Sequence, residues 1–279
     1  MTLSLPQLAA IRITGADRVA LIQGQASNDA RKVDASHAQL TSFSNPKGRC
    51  YAICVLAAQG ESLLLVTERS VAPALAKKLA MYVLRSKAKV ELADELAVCS
   101  DNARLGDWDS AADGDALRIG IPGDRSLLLV PRASATGFSD GSAAWRRADI
   151  AVGLPTVTAE TAERFVPLWL GLERFGAVDF KKGCYTGQEI VARTHYLGQA
   201  KQQLYRGRCS AGAAAGTKLY AGTDQSIGEL VIAAPEDAVD RAGHTLLAVA
   251  REPASGAVIT LGTGGPTLSD FTPVQGDIA

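Results

Sequence analysis

Residues 181–194 read KKGCYTGQEIVART, and no other stretch of the chain packs so many chemically specialised side chains together. Thr186 and Glu189 stand at capping-box spacing, in which the hydroxyl satisfies one backbone donor and the carboxylate reaches back to another, so a helix is predicted to begin near Thr186. Cys184 then falls just before a helix N-terminus, with Lys181 and Lys182 directly upstream, and both the helix dipole and the ammonium charges favour thiolate over thiol. Gly183 and Gly187 flank it without side chains, allowing close backbone approach. Tyr185 adds a flat apolar face with a hydroxyl edge, suited to stacking on a heteroaromatic ring. Taken singly, a packed thiol, a core aromatic and a solvated lysine turn are the simpler readings. Their crowding into nine residues tips the balance toward a functional site. Arg193 follows Glu189 by four residues, the spacing of a helix-surface ion pair worth a few tenths of a kcal/mol, and is also placed to hold an anion. His195 has no acidic partner at a useful spacing and reads as a cation favoured by the helix end rather than a catalytic base.

Composition sets the outer limits. A length of 279 residues predicts about two domains, and 47% apolar with 21% charged residues describes a core-forming chain. No apolar run approaches the roughly 18 residues needed to span a bilayer, so no membrane partner is expected. The first stretch has no basic residue before Arg12 and no small-residue cleavage site after an apolar run, so a cytoplasmic location is expected. Twenty-nine basic side chains balance twenty-nine acidic ones, which removes the broad positive field of a phosphate-backbone binder. Direct nucleic-acid binding is therefore not expected. Five scattered cysteines make a poor disulfide framework and read as reduced thiols. Cys50 and Cys54, an even number apart on a strand, are predicted to share one buried face, and with no further ligand nearby no metal site is assigned. The acidic stretch 107–115 lacks the glutamate and glycine spacing of a calcium loop and reads as solvated loop.

Working outward, residues 10–13 read as a strand and 17–23 as a helix. Asn45, Pro46, Lys47 and Gly48 match a type I turn. Runs 49–58 and 61–67, separated by Gln59 and Gly60, predict a hairpin. Ser70 is placed to cap a helix in which Val71, Leu75, Leu79 and Tyr82 recur at helical spacing, with Arg85 and Lys87 at its end. Strand-like runs follow at 89–92, 97–100, 116–119 and 126–130, then helical pattern over 133–149. Beyond residue 202 the texture changes to short β runs at 203–209, 217–220, 227–233, 245–251 and 257–261, which predict a small barrel or sandwich. The fold class is α+β.

The stretch KGCYTGQEIVAR at 182–193 resembles the signature of the YgfZ family, folate-binding relatives of the glycine-cleavage T-protein that support iron-sulfur enzymes. ITGADRVALIQGQ at 13–25, SNPKGR at 44–49, and ADIAVGLP at 148–155 leading to FVP at 165–167 extend the resemblance over nearly the whole chain. The resemblance implies a T-protein-like α+β body of two intertwined subdomains over residues 1–200, with a central hole for tetrahydrofolate, and a small β-barrel over 201–279. It implies Cys184 as the functional thiol. Lys182, Tyr185, Gln188, Glu189 and Arg193 carry over as cofactor-site positions of the motif, and Asn45, Lys47 and Arg49 as those of the turn. A plausible division has Tyr185 positioning Cys184, and Lys47 or Arg49 meeting the glutamate tail of folate through charge-assisted hydrogen bonds. Where the T-protein carries an aspartate for aminomethyl transfer, the run AAQGESLLLV at 57–66 offers only Glu61, which disfavours that reaction.

Three functions follow. The leading one is an accessory factor, without turnover of its own, that uses tetrahydrofolate and Cys184 to assemble, repair or protect iron-sulfur clusters in client enzymes, tRNA-modifying enzymes being affected indirectly. The second is a folate-dependent aminomethyl or one-carbon transferase. The third is a scaffold whose motif builds a partner-binding surface.

Overall fold

The computed structural model describes residues 1–84, 86–196, 201–222, 225–237 and 243–274. Its first half runs β1 (Leu3–Ser4), β2 (Leu8–Thr14), α1 (Arg18–Gln23), β3 (Gln39–Ser44), β4 (Cys50–Gln59), β5 (Ser62–Glu68), α2 (Ala72–Met81), β6 (Lys89–Leu92), β7 (Leu96–Asp101), β8 (Ser110–Asp113), β9 (Ala116–Ile121) and β10 (Arg125–Pro131). Then come α3 (Ser142–Val152), α4 (Gln188–Tyr196), β11 (Gln203–Cys209), β12 (Lys218–Ala221), β13 (Ser226–Pro235), β14 (His244–Ala250), β15 (Ile259–Leu261) and β16 (Leu268–Pro273). Three antiparallel sheets result, ordered β3-β4-β5-β2-β6, β1-β7-β10-β9-β8 and β15-β12-β13-β14-β11-β16. The α+β class holds, and the third sheet curls into a half-barrel. Among the described residues, no helix is long and apolar enough to cross a membrane.

Strand alternation explains how the first sheet serves two cores. Leu63 and Leu65 of β5 point into a layer with Leu21 and Ile22 of α1 and Leu75 and Leu79 of α2. Leu64 and Val66 point the other way, into a cluster with Ile119 of β9, Leu127 of β10, Ile150 of α3 and Leu247 of β14. A run apolar at every position is what a strand buried on both faces requires. The helix α3 packs against β13 and β14, joining the third sheet to the rest.

Several local expectations are corrected. Cys50 and Cys54 lie in different cores, because β4 carries a bulge: Ser44 pairs with Cys50 and Phe43 with Ala52, leaving Tyr51 as an extra residue that reverses the alternation. Both thiols are fully buried, and burial pushes that of Cys50 up to about 12. Ser70 does not cap α2; its hydroxyl accepts from Ala159 N at 3.2 Å. Helix α2 ends at Met81, so Tyr82 and Lys87 lie beyond it, while Arg85 is outside the described residues. The helical pattern over 133–149 is cut by Gly137 (φ +87°), and α3 starts only at Ser142. The acidic stretch includes an edge strand, β8. Strands β1, β3 and β16 were not anticipated either.

Candidate functional site

The loop 179–187 is fastened to the segment after α1 from both ends, and only its tip is free. Asp179 Oδ1 accepts from Lys181 N (2.8 Å) and Lys182 N (3.1 Å), while Asp179 N donates to Ser27 O at 3.0 Å. Lys182 turns inward: its Nζ donates to Gln23 O (2.7 Å), Ala26 O (2.5 Å) and Asn28 O (3.1 Å), and lies 4.9 Å from the centroid of the Tyr185 ring. Tyr185 is buried as well, and burial pushes its hydroxyl up to about 12. Thr186 closes the loop, with N bonded to Gly24 O at 3.3 Å and Oγ1 donating to Gln25 Oε1 at 2.9 Å. Gly183 and Cys184 face solvent between these anchors, and Cys184 is exposed while the other four cysteines are buried.

This geometry revises the reading of the motif. The capping box is not built: Thr186 gives its hydroxyl to Gln25, and α4 begins two residues later, after Gly187 at φ +86°. Gly187 has a different partner. A Cβ there would sit 2.7 Å from Asn45 O and 3.2 Å from Gly48 Cα, and a Cβ on Gly48 would sit 2.6 Å from Ile190 Cβ. The two glycines therefore let the 45–48 turn lie directly on the start of α4, which brings together the two quoted motifs. In that turn Asn45 Oδ1 accepts from Lys47 N (2.9 Å) and Arg49 N (3.1 Å), and Nδ2 donates to Glu163 at 3.0 Å. Arg49 donates to Arg164 O at 2.7 Å and lies over Trp169, 4.7 Å from its centroid. Lys47 is exposed. Gln188 is half-buried, whereas Glu189 and Arg193 are exposed and form no ion pair with each other. His195 stacks on Phe180 with centroids 3.9 Å apart.

A second feature lies between the first two sheets. A cavity of about 60 Å³ is walled by Leu40, Ile53, Val55, Val66, Ile121 and Leu127, with Glu68, Trp145 and Asp149 among its lining groups. Glu68 ends β5 and is 7% exposed; its Oε2 accepts from Arg146 at 3.1 Å. Asp149 of α3 accepts from Arg125 at 2.5 Å, and that guanidinium lies 4.2 Å from the Trp145 ring centroid. Burial raises both carboxyls above the usual range, with the guanidinium beside each opposing it. None of the eight positions read as cofactor contacts lines this cavity. Lys182 and Arg49 are committed to the chain's own backbone and Asn45 to backbone and the Glu163 side chain, while Lys47 and Glu189 face solvent.

Sequence reading weighed only Glu61 as an acid in this region, and Glu61 is exposed beside the hairpin turn. Glu68 was missed although its signal was present: a carboxylate closing a strand built on the apolar run Leu63 to Val66. Its raised pKa has a consequence for stability. The folded chain holds this proton more tightly than the unfolded chain, whose value is near 4.5, so the contribution of Glu68 falls as pH rises from there through the folded value. Urea midpoints measured from pH 4 upward are expected to carry less of that decline in Glu68→Gln than in the parent. Equal slopes would remove the assignment.

The arrangement of three antiparallel sheets, two of them enclosing the cavity, is that of the glycine-cleavage T-protein fold. The glycine cleavage system aminomethyltransferase T from Bartonella henselae superposes with a TM-score of 0.74, covering 96% of this chain and 83% of its own, at 14% identity, so the likeness is one of fold. In sequence, tRNA-modifying protein YgfZ from Yersinia enterocolitica is 28% identical over 228 residues, with 73% of this chain and 69% of its own length covered. The YgfZ protein of Yersinia pestis is 29% identical over the same shares. An uncharacterised protein of Haemophilus influenzae is 30% identical over 205 residues, covering 73% of this chain and 71% of its own. No family model matches the chain. The chain belongs to the YgfZ family.

Proposed function

We propose that this chain is a cytoplasmic accessory protein that binds tetrahydrofolate in the central cavity and uses the Cys184 thiol in assembly, repair or protection of iron-sulfur clusters, the clients including tRNA-modifying enzymes. The observation carrying it is the display of Cys184, the exposed thiol of the five, at the tip of a loop whose Lys182 and Tyr185 side chains are turned inward on either side of it. The same reading keeps residues 1–200 as the folate-binding unit and 201–279 as an appended β unit, a boundary that falls beside residues 197–200, outside those described.

The lining chemistry fits a reduced pterin. Apolar walls suit its ring faces, Trp145 offers an aromatic neighbour, and a carboxylate matches an edge carrying adjacent N–H donors. The volume admits only a few waters, so a bicyclic ring enters by widening the cleft, and the Leu154–Thr156 stretch that forms one wall is the segment to move. When bound, tetrahydrofolate supplies one-carbon chemistry. The chain's own residues supply burial, an acid and a separate thiol.

Calorimetric titration with tetrahydrofolate tests this division. Cys184→Ala is expected to bind like the parent, and Glu68→Gln at least tenfold more weakly. In a deletion strain Cys184→Ala is expected to leave iron-sulfur enzyme activity unrestored. Full restoration by Cys184→Ala would sink the thiol's role, and absence of folate binding by the parent would sink the cofactor's.

One observation favours a second reading, transfer of a one-carbon unit. Glu68 places a buried acid in the cavity, which Glu61 does not. That reading requires turnover of a methylamine-type donor with tetrahydrofolate, lost in Glu68→Gln; no turnover across a broad donor panel removes it.

A further inference from the structure

An ammonium group has three donors and no acceptor. Lys182 is 6% exposed, and its Nζ meets three backbone carbonyls, at Gln23, Ala26 and Asn28, between 2.5 and 3.1 Å. Gln23 is the last residue of α1, where the helix dipole favours a cation, and Ala26 and Asn28 belong to the segment that leads from α1 to β3. Three carbonyls converging on one nitrogen are all satisfied only by the charged lysine. A neutral amine has two hydrogens and turns a lone pair toward the third oxygen; methionine in the same volume leaves all three buried acceptors bare.

We infer that Lys182 is the positioning residue for Cys184: its ammonium pins the loop two residues ahead of the thiol onto the segment after α1, and the thiol is held in place only while that pin is intact. This rests on the reading of Cys184 as the functional thiol. The pin belongs to the loop rather than to the cavity, since Lys182 is not among the cavity-lining residues.

The groups facing Lys182 leave its charge to the carbonyls. Asp29 is held by Arg31 at 2.6 Å, and Asp179 by Lys32 at 2.8 Å, while the Tyr185 ring covers the ammonium from its own loop. Burial pulls the Lys182 ammonium down to about 8, against the weaker pull of Asp29 and Asp179. Loss of that proton removes one of the three bonds.

The test uses the full chain, its Lys182→Met variant, and Cys184→Ala as the blank. Backbone hydrogen exchange of residues 181–187 and the rate of Cys184 alkylation by iodoacetamide are followed from pH 6 to 9.5. The parent is expected to lose protection in 181–187 as pH passes 8 and to show a second inflection in its alkylation profile there. Lys182→Met is expected to exchange at least tenfold faster in this loop at pH 7 and to lack that inflection. Should the variant fail to fold, the parent's own pH series decides. Unchanged protection of the parent across pH 8, or a superimposable profile from a folded Lys182→Met, overturns the inference. Failure of the parent to bind tetrahydrofolate would refute the cofactor reading and leave the pin standing.

Discussion

Asp149→Ala is expected to destabilise the chain by about 3–5 kcal/mol, the usual cost of stranding one partner of a buried ion pair. Arg125 cannot escape to solvent when its carboxylate is removed. Its Nε is bonded to Pro122 O at 3.0 Å, Nη1 to Trp145 O at 3.1 Å, and its guanidinium is packed over the Trp145 ring. Both side chains of the pair are nearly covered, at 10% and 12% exposure. A guanidinium keeps its proton at any working pH, so the charge stays and loses its compensation. The effect is expected to be local to the pair. Replacing both Arg125 and Asp149 by apolar residues of similar volume should recover most of the loss, because the desolvation cost of two charges disappears with them. Urea unfolding of the single and double variants checks this. A single variant within about 1 kcal/mol of the parent would show that the pair contributes little, and a double variant no better than the single would show that Asp149 acts through something other than Arg125.

How much of this was legible beforehand differs by kind of residue. The hairpin of β4 and β5 and the helix α2 were plain, because apolar run length and periodicity report burial directly, and burial dominates the energy of these elements. The type I turn at 45–48 was equally plain, since Asn45 and Gly48 carry their conformation in their own chemistry: Gly48 sits at φ +67°, and its N–H bonds to Asn45 O at 2.9 Å. The bulge at Tyr51 was not, because a single unpaired residue leaves the composition of β4 unchanged while reversing which face Cys50 meets. The direction of Lys182 was hidden for a related reason. Its three acceptors lie some 150 residues away along the chain and are backbone atoms, which no side-chain pattern announces. The same holds for Thr186, whose capping spacing with Glu189 was outcompeted by Gln25 from a distant segment. Long-range contacts, to backbone carbonyls for Lys182 and to the Gln25 side chain for Thr186, decided how these residues of the motif are placed.

Gly187→Ala is the second large effect, expected to destabilise by about 3 kcal/mol or more. Two costs combine. At φ +86° a residue with a Cβ lies in strained backbone, and the added carbon meets Asn45 O at 2.7 Å and Ser44 Cβ at 3.0 Å. Neither contact is the far end of a flexible side chain, so relief requires moving the 45–48 turn off α4 as a unit. That movement would also disturb Gly48 against Ile190, and the register of loop 179–187 with the segment after α1. Gly183→Ala provides the contrast in the same motif. Nothing lies within 4 Å of a Cβ at that position and its backbone is not in the left-handed region, so its stability is expected to stay within about 0.5 kcal/mol of the parent. Unfolding midpoints of the two variants, with hydrogen exchange along α4, separate the glycine that the fold requires from the glycine that leaves room beside the thiol. Equal stabilities for the two would mean that the turn and α4 do not depend on their close approach, and that Gly187 and Gly183 share one role.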